Sequence, residues 1–183
     1  IARHTQEEQL IKISTPVLKR LNKELGDSVY LGVKNGQKVL YLAHCDSIKD
    51  VRINGCAGGE YPMNCSAPGK ILLSHSDESE ILRFFDLPVE KRTDNTIVTA
   101  KDFKKEAEKI RENGYAVDNE EFAKGIICIS VPIFDSTDKI IASIGISTLT
   151  LYDDIDGLIN NKLNLLKEAG NEISCCLGGK KQI

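Results

Sequence analysis

The sequence predicts an α+β fold: an antiparallel sheet with helices packed on it. Three observations predict it. Two pairs of strand-like runs are joined by tight turns, one at Asn35-Gly36 and one at residues 135–138. Amphipathic helical stretches come before, between and after these pairs. Consecutive strands joined by short turns pair antiparallel, which excludes a doubly wound parallel sheet.

Each element follows from local chemistry. Leu10, Ile13, Val17, Leu21 and Leu25 recur at helical spacing. Pro16 interrupts them, and Ser14 or Thr15 can cap a new helix with Pro16 in its first turn. The expectation is a short leading helix, a bend, and a second helix ending near Gly26. Next, "SVYLGVKNGQKVLYLAHC" reads as a hairpin with a type I′ turn at Asn35-Gly36. "VRINGCAGGEYPMNC" reads as a short strand and a Gly-rich loop. Ser66 caps a helix with Pro68 in its first turn. Asp77 caps another, with Glu80 as its capping-box partner and Pro88 beyond its end. Thr99 opens a helix with Phe103, Ala107 and Ile110 on one face, and Asn113-Gly114 closes it. "YAVD" is a short strand. Residues 126–134 and 139–148 are strands joined by "DSTD". A single last helix over 152–177 carries Ile155, Leu158, Ile159, Leu165, Leu166, Ala169, Ile173 and Leu177.

Composition bounds the function. The 183 residues are 41% hydrophobic, enough for one well-packed domain of ordinary size. The net charge is -3 with both signs mixed, so contact with a polyanion requires a separate basic element. No apolar run approaches the roughly 20 residues of a membrane span. The six cysteines lie mostly in apolar contexts without a CxxC pair, which fits reduced thiols in the cytoplasm. The chain opens on Ile1 rather than Met, which suggests a fragment.

Alternation along the last two strands separates two faces. Ile127, Ile129, Val131 and Ile133, with Ile140, Ala142, Ile144 and Ile146, form a plain core face. Ile126, Cys128 and Ser130, with Ile141, Ser143, Gly145 and Ser147, form a face of small and weakly polar groups. Such a face suits something lying close above it: a covering helix, a loop or a small ligand. Asp118 ends the strand that leads into this region, and an Asx turn is its ordinary role. Glu120 and Glu121 read as solvated loop acids or partners of a nearby lysine. The helix start at Ser66–Gly69 offers backbone donors for an anion, less the one that Pro68 lacks.

Three function classes are compatible with these residues. One is a ligand-sensing domain. Another is a metal site in which Asp118 and Cys128 converge with Cys65 or Cys56. The last is an enzyme with Cys128 as nucleophile, which needs a nearby base among His4, His44 and His75.

"CSAPGKILLS" (65–74), "ENGYAVDNEEFAKGIICISVPIFD" (112–135) and "IIASIGIST" (140–148) together resemble the effector-binding domain of the IclR family of bacterial transcriptional regulators. The resemblance covers nearly the whole chain. It implies a GAF-like domain over residues 14–183, with a curved antiparallel sheet of five to six strands flanked by helices. Residues 1–13 become a linker helix from an N-terminal winged helix-turn-helix that this sequence lacks. It also implies a homodimer or homotetramer, no enzymatic activity, no cofactor, and a small organic acid as effector. Operator DNA is contacted only through the missing domain. Carried over residue by residue, the pocket uses the backbone at Ala67 and Pro68, together with Asp118, Cys128, Gly145 and Ser147. Ile53, Tyr61 and Ile126 form its apolar walls. Two departures stand out: Pro68 removes a backbone donor, and Gly145 stands where a Ser hydroxyl contacts a ligand carboxylate.

Overall fold

In the computed structural model, residues 2–180 are described, so the expectation attached to Ile1 lies outside them. Helix α1 (Ala2–Leu25) leads into strands β1 (Ser28–Asn35), β2 (Lys38–Cys45) and β3 (Glu60–Pro62). Helices α2 (Ala67–Ser74), α3 (Glu78–Asp86) and α4 (Ala100–Asn113) follow. Strands β4 (Ala116–Asn119), β5 (Ile126–Phe134) and β6 (Ile140–Leu149) precede helices α5 (Ile155–Asn161) and α6 (Leu163–Cys176). The six strands form one curled sheet in the order β3-β2-β1-β6-β5-β4, with every neighbouring pair antiparallel. This is the α+β arrangement that the sequence predicts, with the curved antiparallel sheet that the resemblance implies.

The core face lies where alternation places it. Ile127, Ile129, Val131 and Ile133 of β5 meet Ala142, Ile144 and Ile146 of β6 and the apolar stripes of α1 and α6. The opposite face packs under α2, α3 and α4 through Tyr30, Val39, Tyr41, Met63, Leu73 and Phe103. Small residues explain how α2 comes so close. A Cβ on Gly32 would lie 3.4 Å from that of Pro68, and one on Gly69 would lie 2.4 Å from the Met63 Cα. Much of the small polar face is therefore helix-packing surface, and only one end of it remains open.

Five local expectations are corrected. Helix α1 runs unbroken through Pro16. Leu10, Val17, Leu18 and Leu21 are buried along it, and this packing offsets the lost backbone bond. Thr15 caps nothing; its Oγ1 donates back to the Ile11 carbonyl at 2.7 Å. In the first hairpin Asn35 pairs with Lys38, so the turn residues are Gly36 and Gln37. Of these only Gly36 has positive φ (62°), which fits a type II′ turn and not type I′. No strand forms at residues 51–53. Asp77 makes no side-chain cap bond. The last helix is two, broken at Lys162, whose ammonium is held 2.7 Å from Asp27 and 2.6 Å from Asp153.

Candidate functional site

The register of three strands builds the site. Asp118 on β4 pairs with Cys128 on β5, and Cys128 pairs with Ser147 on β6. Cross-strand partners share a face, so the three side chains form one row across the sheet. The row lies opposite the start of α2, at the open end of the small-residue face. Together with Tyr41, His44, Tyr61 and Phe122, it encloses a cavity of about 40 Å3. Ile53 and Gly55 of the loop between β2 and β3 close one side, while Ser66, Pro68 and Ile126 complete the wall.

Seven of the nine sequence-predicted site residues are brought together: Ile53, Tyr61, Pro68, Asp118, Ile126, Cys128 and Ser147. Two are not. Ala67 is fully buried in the first turn of α2 and does not line the cavity. Gly145 lies below it, under the ring of Tyr30. A Cβ there would be 2.5 Å from the Tyr30 hydroxyl and 2.2 Å from Ser130 Oγ. Those two hydroxyls bond each other at 3.0 Å. Gly145 is thus the room that a buried tyrosine needs, and it does not line the cavity.

Asp118 combines its ordinary turn role with a place on the wall. Its Oδ1 accepts the N–H of Glu121 at 2.7 Å and that of Phe122 at 3.2 Å, fixing the turn that re-enters β5. Burial pushes its carboxyl up to about 6, against these donors and the Lys70 ammonium. The Cys128 thiol lies beside the same carboxylate across the β4–β5 pairing. Burial, then the Asp118 charge, raise the Cys128 thiol well above its usual range. Cys128 is held as a neutral thiol, the opposite of an activated nucleophile. Of the three histidines considered as a base, His44 does share the cavity with Cys128. Burial lowers its proton affinity, and its ring lies parallel to that of Tyr41 with centroids 6.3 Å apart. As for a metal, Cys65 is enclosed in the core and Cys56 is exposed. Among the described residues no three His, Cys, Asp or Glu side chains group to hold an ion.

Of the two readings of Glu121, solvated acid or partner of a nearby lysine, the structure shows the second, but in a buried cluster behind the wall. Glu121 is buried, and its carboxylate lies 2.7 Å from the Lys70 ammonium. Lys70 is fully buried on α2 and also meets Glu106 of α4 at 2.8 Å. Burial pushes Glu121 up to about 7, against the attraction of Lys70. A lysine inside the apolar helix "APGKILLS" is the signal that points to a buried acid partner. Phe122 was missed by sequence reasoning. It is the one aromatic residue in a polar loop, and Arg92 stacks 4.3 Å from its ring centroid.

Comparison with known proteins agrees with this architecture. Residues 2–175 match the family described as bacterial transcriptional regulator IclR, C-terminal. The chain is 31% identical to the HTH-type transcriptional regulator BhcR of Paracoccus denitrificans, over 94% of this chain and 62% of that protein. The crystal structure of the Thermotoga maritima IclR matches with a TM-score of 0.85 and 32% identity, over 92% of this chain and 68% of that one. The C-terminal domain of the Escherichia coli regulator KdgR matches with a TM-score of 0.83 and 27% identity, over 92% of this chain and 98% of that one. The chain spans 58–67% of the length of the first curated relatives it matches. From its strand order to its helix layers, and along nearly all of its length, this chain belongs to the C-terminal domain family of the IclR bacterial transcriptional regulators.

Proposed function

We propose that the cavity is a sensor site for a small organic acid, and that occupancy controls operator binding by a winged helix-turn-helix in the complete protein. The observation that carries this reading is the row Asp118–Cys128–Ser147, aligned across three strands and facing a helix start in a narrow, aromatic-walled cavity. In this reading Ser147 donates to the acid, and Asp118 accepts from a ligand hydroxyl. The first residues of α1 link to the DNA-reading domain. The molecule works as a homodimer or homotetramer in the cytoplasm, with exposed Ile48, Val51, Leu151 and Tyr152 supporting self-association. No helix among the described residues is long and apolar enough to cross a membrane.

Cavity size adds a mechanical step. A space of about 40 Å3 holds a few waters. An organic acid therefore enters only if the loop over residues 46–59 yields. That loop is fastened near its ends: Lys49 reaches Asp27 at 2.5 Å, and the Gly58 N–H reaches the Tyr41 carbonyl at 2.7 Å. The middle, with Ile53 and Gly55, moves between these anchors. Loop displacement gives the two states whose populations a ligand can shift.

A thermal-shift screen with lactate, pyruvate, glycolate, glyoxylate and benzoate tests the reading. A binder of the folded state raises the Tm as its concentration grows. Calorimetry on Asp118→Ala and Ser147→Ala then locates the site, with at least tenfold weaker binding expected. No shift with any acid, or unchanged affinity in both variants, rejects it.

A further inference from the structure

We propose that His44 is the residue that receives the negative charge of the bound acid, taking up one proton from solvent as the acid binds. The inference rests on the acid-binding reading above.

The starting point is a missing counter-charge. No lysine or arginine lines the cavity, and its one carboxylate, Asp118, repels an incoming anion. The start of α2 contributes little. Pro68 has no N–H, and the Gly69 N–H already points to Ser66 Oγ at 3.3 Å. Gly145 brings no hydroxyl. A carboxylate buried beside Asp118 without a cation carries a desolvation penalty that nothing on the wall offsets. His44 is the one group on the wall able to become a cation near neutral pH.

Geometry places His44 for this role. A β-bulge marks the β1–β2 pairing: Leu31 pairs with Ala43, but Gly32 pairs with Tyr41, leaving Leu42 unpaired. Strict alternation would point His44 away from Tyr41. The extra residue re-aims it, so that both rings face the cavity, 12° from parallel. The His44 side chain is 6% exposed, with Nδ1 3.5 Å from an oxygen of the exposed Asp46 carboxylate. Its opposite edge lies under the loop: a Cβ on Gly55 would fall 2.3 Å from Nε2. The segment that must move to admit an acid is therefore the segment that covers Nε2. The titratable groups around the ring are Asp46 beside Nδ1, Tyr41 stacked on it and Cys56 next to Gly55. Tyr61, Asp118 and Cys128 complete the wall. Burial keeps the empty ring neutral at pH 7, and an acid anion at Nε2 reverses that preference. The balance is one carboxylate anion plus one solvent proton, giving an ion pair with the imidazolium.

The experiment uses calorimetry with lactate, pyruvate and benzoate in phosphate and Tris buffers of matched pH. Their different ionisation enthalpies reveal proton uptake. Wild-type protein should take up close to one proton per acid at pH 7.5. Its Kd should tighten about tenfold per pH unit as pH falls from 8 to 7. His44→Gln should abolish the uptake and weaken binding at least tenfold, whereas Asp118→Asn should retain the uptake. Proton NMR on wild-type protein removes dependence on folding of the variant. Of the three histidines, His44 alone should move from its neutral to its cationic position when acid saturates the site at pH 7.5. Acid binding without proton uptake, or uptake that survives in His44→Gln, overturns the role of His44 while leaving the sensor reading intact. Absence of binding by all three acids overturns both.

Discussion

Replacing Lys70 with Met tests the buried charge cluster behind the cavity wall. Met matches the apolar stem of Lys70 but removes an ammonium that is wholly enclosed between Glu106 and Glu121. Glu121 is 7% exposed, and its Oε2 has no hydrogen-bond partner. Breaking such a pair from one side leaves an uncompensated buried charge, with a loss of about 3–5 kcal/mol. Glu121 has an escape, because it can take a proton. With Lys70 present, burial already holds it at about 7 against an ordinary 4.5. At ~1.4 kcal/mol per pH unit, that difference amounts to roughly 3 kcal/mol between the two protonation states. A carboxyl whose folded value is raised contributes stability below its unfolded value, and this is lost as pH rises through the folded value. Removing Lys70 raises the folded value further. Both proteins therefore hold Glu121 protonated near pH 5.5 and diverge above pH 7.

Urea unfolding of wild type and Lys70→Met at pH 5.5, 7 and 8.5 measures this directly. The expected loss is about 1 kcal/mol at pH 5.5, from the Glu106 contact, rising by ~1.4 kcal/mol per pH unit above pH 7 to about 3 kcal/mol at pH 8.5. Taking the difference between the two proteins cancels the titrating groups that Lys70 does not touch, including His44 and His75, whose burial acts in the opposite sense; Asp118, which Lys70 also holds down, shifts in the same direction as Glu121. A loss of the same size at pH 5.5 and 8.5, or one under about 1 kcal/mol at pH 8.5, refutes the reasoning.

Gly145→Ala forces a methyl between Tyr30 and Ser130 and should cost about 1–3 kcal/mol in urea unfolding; a neutral outcome would mean that Tyr30 has room to move. Thr99 Oγ1 accepts the Asp102 N–H at 3.1 Å, so Thr99→Ala should lower stability by about 1 kcal/mol, and an unchanged midpoint would rule out that cap. Iodoacetamide at pH 7.5 should label the exposed Cys56, Cys175 and Cys176 first, while Cys65, its thiol pushed up to about 12, and Cys128 stay protected until unfolding. Mass spectrometry showing early modification of Cys128 would restore the nucleophile reading.

The fold was legible because most of its signals are local or periodic. The Ile ladder of β5 and β6, the Ser66 and Thr99 caps and the Gly114 stop each specify an element from a few neighbouring residues. What misled were positions where distant contacts override local preference. Pro16 breaks helices in isolation, yet the burial of Val17, Leu18 and Leu21 on the sheet carries α1 through it. The stripe from Ile155 to Leu177 keeps helical spacing across Lys162. The break there is set by Asp27, 135 residues away in sequence. A periodic pattern has no means of registering such a tether.

The candidate site divides along the same line. Asp118, Cys128 and Ser147 were legible because strands of known alternation place them on one face, and pairing only had to align them. His44 was not legible, and the reason is one residue. Counted from Tyr41, strict alternation sends Ala43 and Cys45 to the cavity and His44 to the α1 side. Leu42 is an extra residue in β2, and the parity inverts beyond it. Ala43 and Cys45 pack with the α1-side core, and His44 turns to the cavity. Nothing in "VLYLAHC" announces a bulge, since every residue in it is acceptable in a regular strand. The choice between solvation and a lysine partner for Glu121 was open for a related reason. Beside Glu120 in a polar turn it looks solvated, but Glu120 adopts positive φ (54°) and the chain folds back. The two neighbours are thereby separated, Glu120 to the Gly125 N–H and Glu121 inward to Lys70. The row that defines the cavity came from regular pairing. The positions of His44 on the wall and of Glu121 behind it came from two irregularities, a bulge and a left-handed turn, each a single residue long.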